Sequence, residues 1–300
     1  MGHSHDHGVK NYGKAFAIGI GLNIAYVIVE VIYGFSANSS ALLADAGHNT
    51  SDVLSLVLAW AATWAAKKRP SGDYTYGYRK TTIMASLING VLIIAAGGII
   101  VYDAILKLQN PVEIPGNIIM IVAGIGVVIN TITALLFMKG QKGDLNIKGA
   151  FLHMAADAGV SLGVVLGGLI IKLTDLTWID PVLSFIIVAV IVYGAWGLLR
   201  DSVKLALDAV PEDIDLKEVN SFLKSIKGVE EVHDLHVWAM STTETALTAH
   251  LVVPEGQSDK FLYNIREELH DKFEITHTTL QIENDFGDEG YCGHKQLSER

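Results

Sequence analysis

Six long apolar stretches occupy most of the first 207 residues, with polar segments between them. They run over Ala15–Phe35, Ala41–Ala66, Thr81–Leu106, Ile118–Met138, Gly149–Ile171 and Pro181–Leu199. Each has close to or more than the roughly 20 residues that a helix needs to cross the hydrocarbon core of a membrane. One such run is compatible with a buried helix of a soluble protein, but six in succession are not. The pattern predicts a transmembrane bundle of six helices over 13–207.

Basic residues gather in the connections on one side of this predicted bundle. The connection between the second and third stretches and that between the fourth and fifth contain Lys67, Lys68, Arg69, Arg79, Lys80, Lys139, Lys142 and Lys148. The opposite side has only Lys107 and Lys172. Because short cytoplasmic loops carry the excess of Lys and Arg, both termini are expected in the cytoplasm.

The pattern changes after residue 207 to that of a water-soluble α+β domain. A helical period over Leu216–Ile226 is followed by strand-like alternation over Glu231–Ala239 and Thr245–Val253, then by a second helix and a third strand over Phe261–Phe273 and Ile275–Glu283. The order α-β-β-α-β predicts a ferredoxin-like cytoplasmic domain over 208–286. The segments 1–12 and 287–300 are interpreted as tails, the first of them rich in histidine.

Composition and charge narrow the class of protein further. The 300 residues are 50% apolar and 18% charged, which is below the charged fraction of an ordinary soluble domain. A net charge of −10 argues against nucleic acid as a partner. The single cysteine, Cys292, excludes an intramolecular disulfide and a cysteine-rich zinc module.

Two histidine–aspartate pairs stand inside the predicted spans. His48 and Asp52 lie in the second stretch, and His153 and Asp157 lie in the fifth. Residues four apart share one face of a helix, and ionisable groups in a membrane are costly unless they are paired, solvated or bound to an ion. Two imidazoles and two carboxylates suit a tetrahedral shell around Zn²⁺. The alternative is a hydrogen-bonded pair of helices without metal.

Asp45 precedes His48 by three residues and falls on nearly the same helix face. The sequence Ala-Asp-Ala-Gly occurs at 44–47 and again at 156–159. Asp45 is therefore a candidate for an alternative ligand, for a proton carrier, or for a hydrogen-bond partner that orients His48.

With these motifs the chain resembles the cation diffusion facilitator family. The resemblance rests on six spans, a basic connection after the second, His-Asn-Thr-Ser-Asp at 48–52, His-Met-Ala-Ala-Asp at 153–157 and the C-terminal domain. The segments Ala41–His48 and Val232–Trp238 look like signatures of its zinc branch. The resemblance implies a homodimeric antiporter that exports Zn²⁺ in exchange for protons by alternating access. It also implies that His48, Asp52, His153 and Asp157 form the transport site.

Proton coupling is expected to use the same ligands, because protons compete with zinc for imidazole near neutral pH. In the family, histidine at the position of His48 goes with preference for Zn²⁺ over Cd²⁺. The segment Lys67–Lys80 has Asp73 but no histidine, so a metal site in this connection is not expected. The short connection between the fourth and fifth spans resembles the bacterial branch and predicts a bacterial inner membrane location.

The resemblance also makes His233, His250 and Glu283 candidate ligands of a cytoplasmic zinc site, with His277 as a possible neighbour. The alternative is a pair of ordinary strand histidines. Simple strand alternation places His236 on the opposite face from His233. This alternation predicts a packing role for His236.

Two further segments are weaker candidates for binding metal, and three other functions are alternatives to transport. His3, His5 and His7 are suited to capturing zinc without fixed geometry, whereas Cys292 and His294 make only half a site. An intramembrane metalloenzyme would need a general base and an open metal position. A metal-sensing scaffold would bind zinc without flux, and a channel would not need titratable ligands.

Overall fold

The computed structural model describes residues 13–138, 145–255 and 258–285. Six long helices precede a small domain of two helices and three strands. The helices are α1 (Gly13–Ser36), α2 (Ser40–Ala66), α3 (Thr81–Gln109), α4 (Gly116–Met138), α5 (Leu145–Thr174), α6 (Ile179–Ala206), α7 (Leu216–Ser225) and α8 (Asp259–Phe273). The strands are β1 (Glu231–Ala239), β2 (Thr245–Val252) and β3 (Ile275–Glu283).

Four of the long helices are long and apolar enough to cross a membrane. They are the described parts of α3 to α6, and α1 contributes a shorter apolar helix over Ile20–Ser36. Large apolar side chains such as Ile99 and Tyr193 are exposed along these helices, as expected of surfaces in contact with lipid. The chain is thus a multi-pass membrane protein, and spans by α1 and α2 stay predictions.

The described residues of 13–57 and 89–197 form one compact unit of helices. Its core joins small and branched residues of several helices, among them Leu42, Ala123 and Val164. Glycines bring α4 and α5 together, because a Cβ at Gly116 would overlap the carbonyl oxygen of Gly168. Close approach at small residues is the usual way in which membrane helices pack.

A carboxylate from α6 holds the first turn of α2. Asp180 is fully buried, accepts a hydrogen bond from the Ser39 hydroxyl and accepts the Ser40 backbone N–H at 2.7 Å. The Ala41 N–H lies 3.3 Å from the same carboxylate. These backbone groups have no partner within α2, so Asp180 caps the helix and favours its positive end. Asn38, with φ of 50°, turns the chain just before the cap.

A second polar group lies beside this cap. Lys107 donates to Asp103 at 2.7 Å and to the Ser40 hydroxyl at 2.8 Å, while Ser40 donates to Asp103 at 2.6 Å. The charges of the lysine and the aspartate therefore compensate each other at this end of α3.

Residues 58–88, 198–255 and 258–285 form the second compact unit. In its C-terminal part the strand order is β1-β2-β3, with β1 antiparallel and β3 parallel to β2. The amphipathic helices α7 and α8 contribute Leu223 and Leu269 to one core with Leu247 and Leu251 of β2, all fully buried. The predicted elements are confirmed to within two residues. The ferredoxin-like assignment stays a prediction, since the structure gives a three-stranded mixed sheet.

Strand β1 contains a β-bulge. His233 pairs with His250, but His236 pairs with Thr248, so three steps along β1 match two along β2. Asp234 adopts φ of 50°, a left-handed conformation that aspartate tolerates better than most residues. The extra residue reverses the alternation of side chains along the strand.

Candidate metal sites

Helices α2 and α5 bring the four predicted membrane ligands together. The Nε2 atom of His48 lies 3.1 Å from Oδ1 of Asp157. The Nε2 atom of His153 lies 3.2 Å from Asp52 Oδ2 and 3.7 Å from Asp157 Oδ2. The histidine of each helix thus faces a carboxylate of the other helix. This cross-pairing places nitrogen and oxygen donors around a common point.

The four side chains are not equally close or equally buried. One ligand atom each of His48, Asp52 and Asp157 lie within 4.8 Å of one another. His153 joins them through the two aspartates, and its ring centroid lies 6.0 Å from that of His48. The Asp157 side chain is 3% exposed and that of His153 is 42% exposed. The site is therefore closed on the Asp157 side and open on the His153 side.

Asp45 lies deeper than this group and is turned toward α5. It is 1% exposed, and its Oδ2 accepts a hydrogen bond of 3.1 Å from the Ser161 hydroxyl. It is not among the three residues whose ligand atoms lie within 4.8 Å of one another. Its placement supports a role beside the four ligands.

The cytoplasmic candidates also converge, on one face of the sheet. Glu283 bridges the two histidines, with Oε2 2.9 Å from His233 Nε2 and Oε1 3.0 Å from His250 Nδ1. One ligand atom from each residue lies within 4.8 Å of the others. The buried Nδ1 of His250 makes no hydrogen bond of ordinary geometry despite that short distance. An imidazole nitrogen and a carboxylate oxygen in this arrangement could both bind the same cation.

The electrostatics of Glu283 agree with a carboxylate held ready for a positive charge. Partial burial raises the pKa of Glu283, but the hydrogen bonds from His233 and Gln281 and the charges of His233 and His250 outweigh it. The net effect is a pKa below the ordinary value. The carboxylate is therefore ionised over the whole physiological range.

The bulge overturns one prediction about this face. Because β1 has an extra residue between His233 and His236, both histidines face the same side as His250. His236 contacts Asp234 at 3.0 Å, and Asp234 lies 3.6 Å from His250 Nε2. The predicted packing role of His236 was wrong, because strict alternation does not hold across a bulge. Asp234 was missed, although an aspartate inside an apolar strand is itself a signal of irregular backbone.

His277 does not belong to the cytoplasmic group. It pairs with Ala246 near the other end of β2, four residues from His250 or about 13 Å along the strand. Its ring lies edge-on against Tyr76, with centroids 5.4 Å apart. The candidate segments with His3, His5 and His7 and with Cys292 and His294 lie outside the described residues.

Comparison with known proteins gives two family matches that together span most of the chain. Residues 16–205 match the cation efflux transmembrane domain, and residues 211–285 match the cytoplasmic domain of cation efflux proteins.

Several bacterial proteins are similar over nearly the full length. The chain is 35% identical to the cation efflux system protein CzcD of Alcaligenes sp., over 94% of this chain and 90% of that one. It is 34% identical to the cadmium, cobalt and zinc/H(+)-K(+) antiporter of Bacillus subtilis, over 95% and 93%. It is 32% identical to the zinc transporter ZitB of Escherichia coli, over 94% and 93%. The solved metal-bound C-terminal domain of the CzcD transporter from Cupriavidus metallidurans aligns at 38% identity over 23% of this chain and 99% of its own, with a TM-score of 0.21.

Proposed function

This chain belongs to the cation efflux family, and from that membership we propose that it exports divalent cations, chiefly Zn²⁺, from the cytoplasm in exchange for protons. It is a secondary transporter and not an enzyme. The proposed transport site consists of His48, Asp52, His153 and Asp157. The observation that carries this proposal is the cross-pairing of the two histidines with carboxylates of the opposite helix.

The donor set favours zinc for a chemical reason. Zn²⁺ has no geometric preference of its own and accepts two imidazole nitrogens and two carboxylate oxygens in a tetrahedron. Magnesium and calcium prefer shells made of oxygen alone. The names of the relatives from Bacillus subtilis and Escherichia coli, which mention zinc, support the same cargo.

Exchange with protons follows from the same atoms. In the metal-free protein, His48 Nε2 and Asp157 Oδ1 lie 3.1 Å apart, so one of these two atoms holds the proton of the hydrogen bond between them. Zinc binding by both atoms displaces that proton, and the same holds for His153 Nε2 beside Asp52. Binding one cargo therefore releases the other, which is the condition for antiport at a single site.

The proposal includes the setting of the transporter. The six apolar stretches support six spans, and the loop charges support termini in the cytoplasm. The bacterial relatives support the inner membrane. The match to the cytoplasmic domain family supports a homodimer. Within that domain, we assign a regulatory or structural zinc ion to His233, His250 and Glu283.

Zinc flux into liposomes tests the transport site. The purified protein is reconstituted, and Zn²⁺ movement is recorded with and without a pH gradient. Asp52→Ala and Asp157→Ala are expected to abolish gradient-driven flux, because each removes one of four ligands. Asp73→Ala, which removes an exposed aspartate of the connection between α2 and α3, serves as the matched control.

Each outcome separates the proposal from its rivals. Normal flux in both ligand variants would make the α2 and α5 pairs structural. Zinc binding without flux in the parent protein would favour a sensing scaffold, and flux that ignores the pH gradient would favour a channel. For the cytoplasmic ion, His250→Ala is expected to lower the number of bound zinc ions at equilibrium without changing the ligands of the membrane site.

A further inference from the structure

A cluster of buried oxygen atoms lies between α1, α2 and α5, apart from the four proposed zinc ligands. It consists of the side chains of Tyr26, Glu30, Asp45, Asn49 and Ser161, which we call the oxygen cluster. All five are 3% exposed or less. Asn49 donates to Glu30 Oε2 at 3.0 Å, and Ser161 donates to Asp45 Oδ2 at 3.1 Å. Each carboxyl group therefore has one oxygen in an ordinary hydrogen bond.

The remaining oxygens of the cluster point at one another. Glu30 Oε1, Asp45 Oδ1 and the Tyr26 hydroxyl are buried without a hydrogen bond of ordinary geometry. The three groups are nevertheless close enough to interact, Glu30 with both Tyr26 and Asp45. Buried polar atoms are normally satisfied, so three adjacent oxygens without satisfactory partners indicate a binding position.

The neighbouring backbone leaves space for this arrangement. A Cβ at Gly126 of α4 would overlap the Tyr26 hydroxyl. Glycine at this position therefore allows the hydroxyl to reach the interior of the bundle. The cluster is thus built from four helices, of which α4 contributes room and the others contribute oxygen.

The charges around the cluster are predominantly negative. Besides Tyr26, Glu30 and Asp45 themselves, the titratable groups that act on it are His48 of α2 and Asp157 of α5. Two carboxylates in contact cannot both remain charged in a buried site without a cation. Oxygen atoms alone suit a proton or a hard cation, whereas the histidine nitrogens of the zinc ligands suit zinc.

We propose that the oxygen cluster is a second intramembrane cation site, which binds a further counter-ion of the exchange in addition to the protons at the zinc ligands. The ion class is a proton or a hard monovalent metal cation held by oxygens. Asp45 lies three residues before His48 on α2, about 4.5 Å along the axis. A positive charge bound there repels Zn²⁺ at the transport site and so favours its release. This inference rests on the proposed antiport function.

Glu30→Gln tests the cluster in reconstituted protein with three measurements. They are zinc flux driven by a pH gradient, zinc flux driven by a K⁺ gradient at equal pH, and exchange of labelled against unlabelled zinc without any gradient. Gradient-driven flux is expected to fall at least about tenfold, within the roughly 5- to 150-fold range of coupling between two sites. Zinc–zinc exchange is expected to persist, because the four zinc ligands are intact.

Further variants distinguish a loss of ion binding by the cluster from a loss of folding. Glu30→Asp restores a carboxyl group and is expected to recover part of the gradient-driven flux. Tyr26→Phe removes one oxygen without changing the ring, and is expected to weaken gradient-driven flux but not exchange. Asn89→Ala, which removes a buried polar side chain of α3, is the control. If Glu30→Gln abolishes the effect of the pH gradient, the ion bound by the cluster is a proton. If it abolishes the effect of the K⁺ gradient, the ion is K⁺.

Two results would overturn the inference. One is gradient-driven flux in Glu30→Gln and Tyr26→Phe equal to that of the parent protein. The other is an equal loss of exchange and of gradient-driven flux in these variants, which would make the cluster purely structural. Failure of the proposed function is recognised separately, since the parent protein itself would then show no dependence on either gradient.

Discussion

Replacement of Asp180 by alanine is predicted to cause a large loss of stability of the helical unit. The substitution removes the acceptor for the Ser39 hydroxyl and for the Ser40 N–H, which is bonded at 2.7 Å. Hydrogen bonds to a charged group contribute about 1.5–3 kcal/mol each, so the two together amount to about 3–6 kcal/mol. The backbone N–H of Ser40 is also left without a partner in a buried helix end.

Thermal unfolding in detergent, followed by tryptophan fluorescence, measures this loss. With about 2–4 °C per kcal/mol for a domain of comparable size, the midpoint for Asp180→Ala is expected to fall by of order 10 °C. Asp180→Asn retains one acceptor and is expected to lie in between. Asp175→Asn is the matched control, because Asp175 is exposed and asparagine tolerates its φ of 57°.

A double-mutant cycle with Ser39→Ala separates the cap from other effects of the substitution. If the hydroxyl and the carboxylate act together, the two losses should be less than additive by about 0.5–3 kcal/mol. Additive losses, or a midpoint for Asp180→Ala equal to that of Asp175→Asn, would refute the capping explanation.

Three further predictions concern other parts of the chain. Leu251→Ala should destabilise the cytoplasmic domain by about 2–5 kcal/mol in urea unfolding, since this side chain is fully buried, and a loss below about 1 kcal/mol would contradict the assigned core. In the metal-free protein, the stabilisation by Glu283 should be present above its ordinary pKa of 4.5 and disappear as the pH falls through the lower folded value; a Glu283→Gln protein with the same pH profile would disprove it. Gly126→Ala should lower the unfolding midpoint because its Cβ overlaps Tyr26, whereas Gly124→Ala, with open space around it, should not.

Local patterns in the sequence sufficed to predict most of the C-terminal elements. Strand bounds over Glu231–Ala239 and Ile275–Glu283 follow from alternation and the polar residues that flank them, and both are confirmed. The bulge at Asp234 could not be predicted from alternation. One extra residue moves every later side chain of the strand to the opposite face, and the pattern of apolar and polar residues does not mark where this happens. For this reason the side of the sheet on which His236 lies was predicted wrongly.

For the membrane ligands, the sequence predicts which residues share a helix face but not which residues pair. The spacing of four puts His48 above Asp52 and His153 above Asp157. The short contacts run instead between helices, from His48 to Asp157 and from His153 to Asp52. Such contacts depend on the distance and rotation of α2 relative to α5, which tertiary packing decides. The capping role of Asp180 was missed for the same reason, since its partners lie about 140 positions away in the chain.

The bulge in β1 means that the position of a residue in the strand cannot be transferred between proteins by counting alone. A relative with as many residues between these positions but a regular strand would have the same residues in an alignment, yet would turn either His233 or Val237 to the other side of the sheet. Deleting Asp234 would remove the residue that the bulge takes up, so a regular strand would then keep His233 on the metal-binding face and Val237 in the apolar core. In this chain the cytoplasmic metal face therefore depends on the bulge as much as on its histidines.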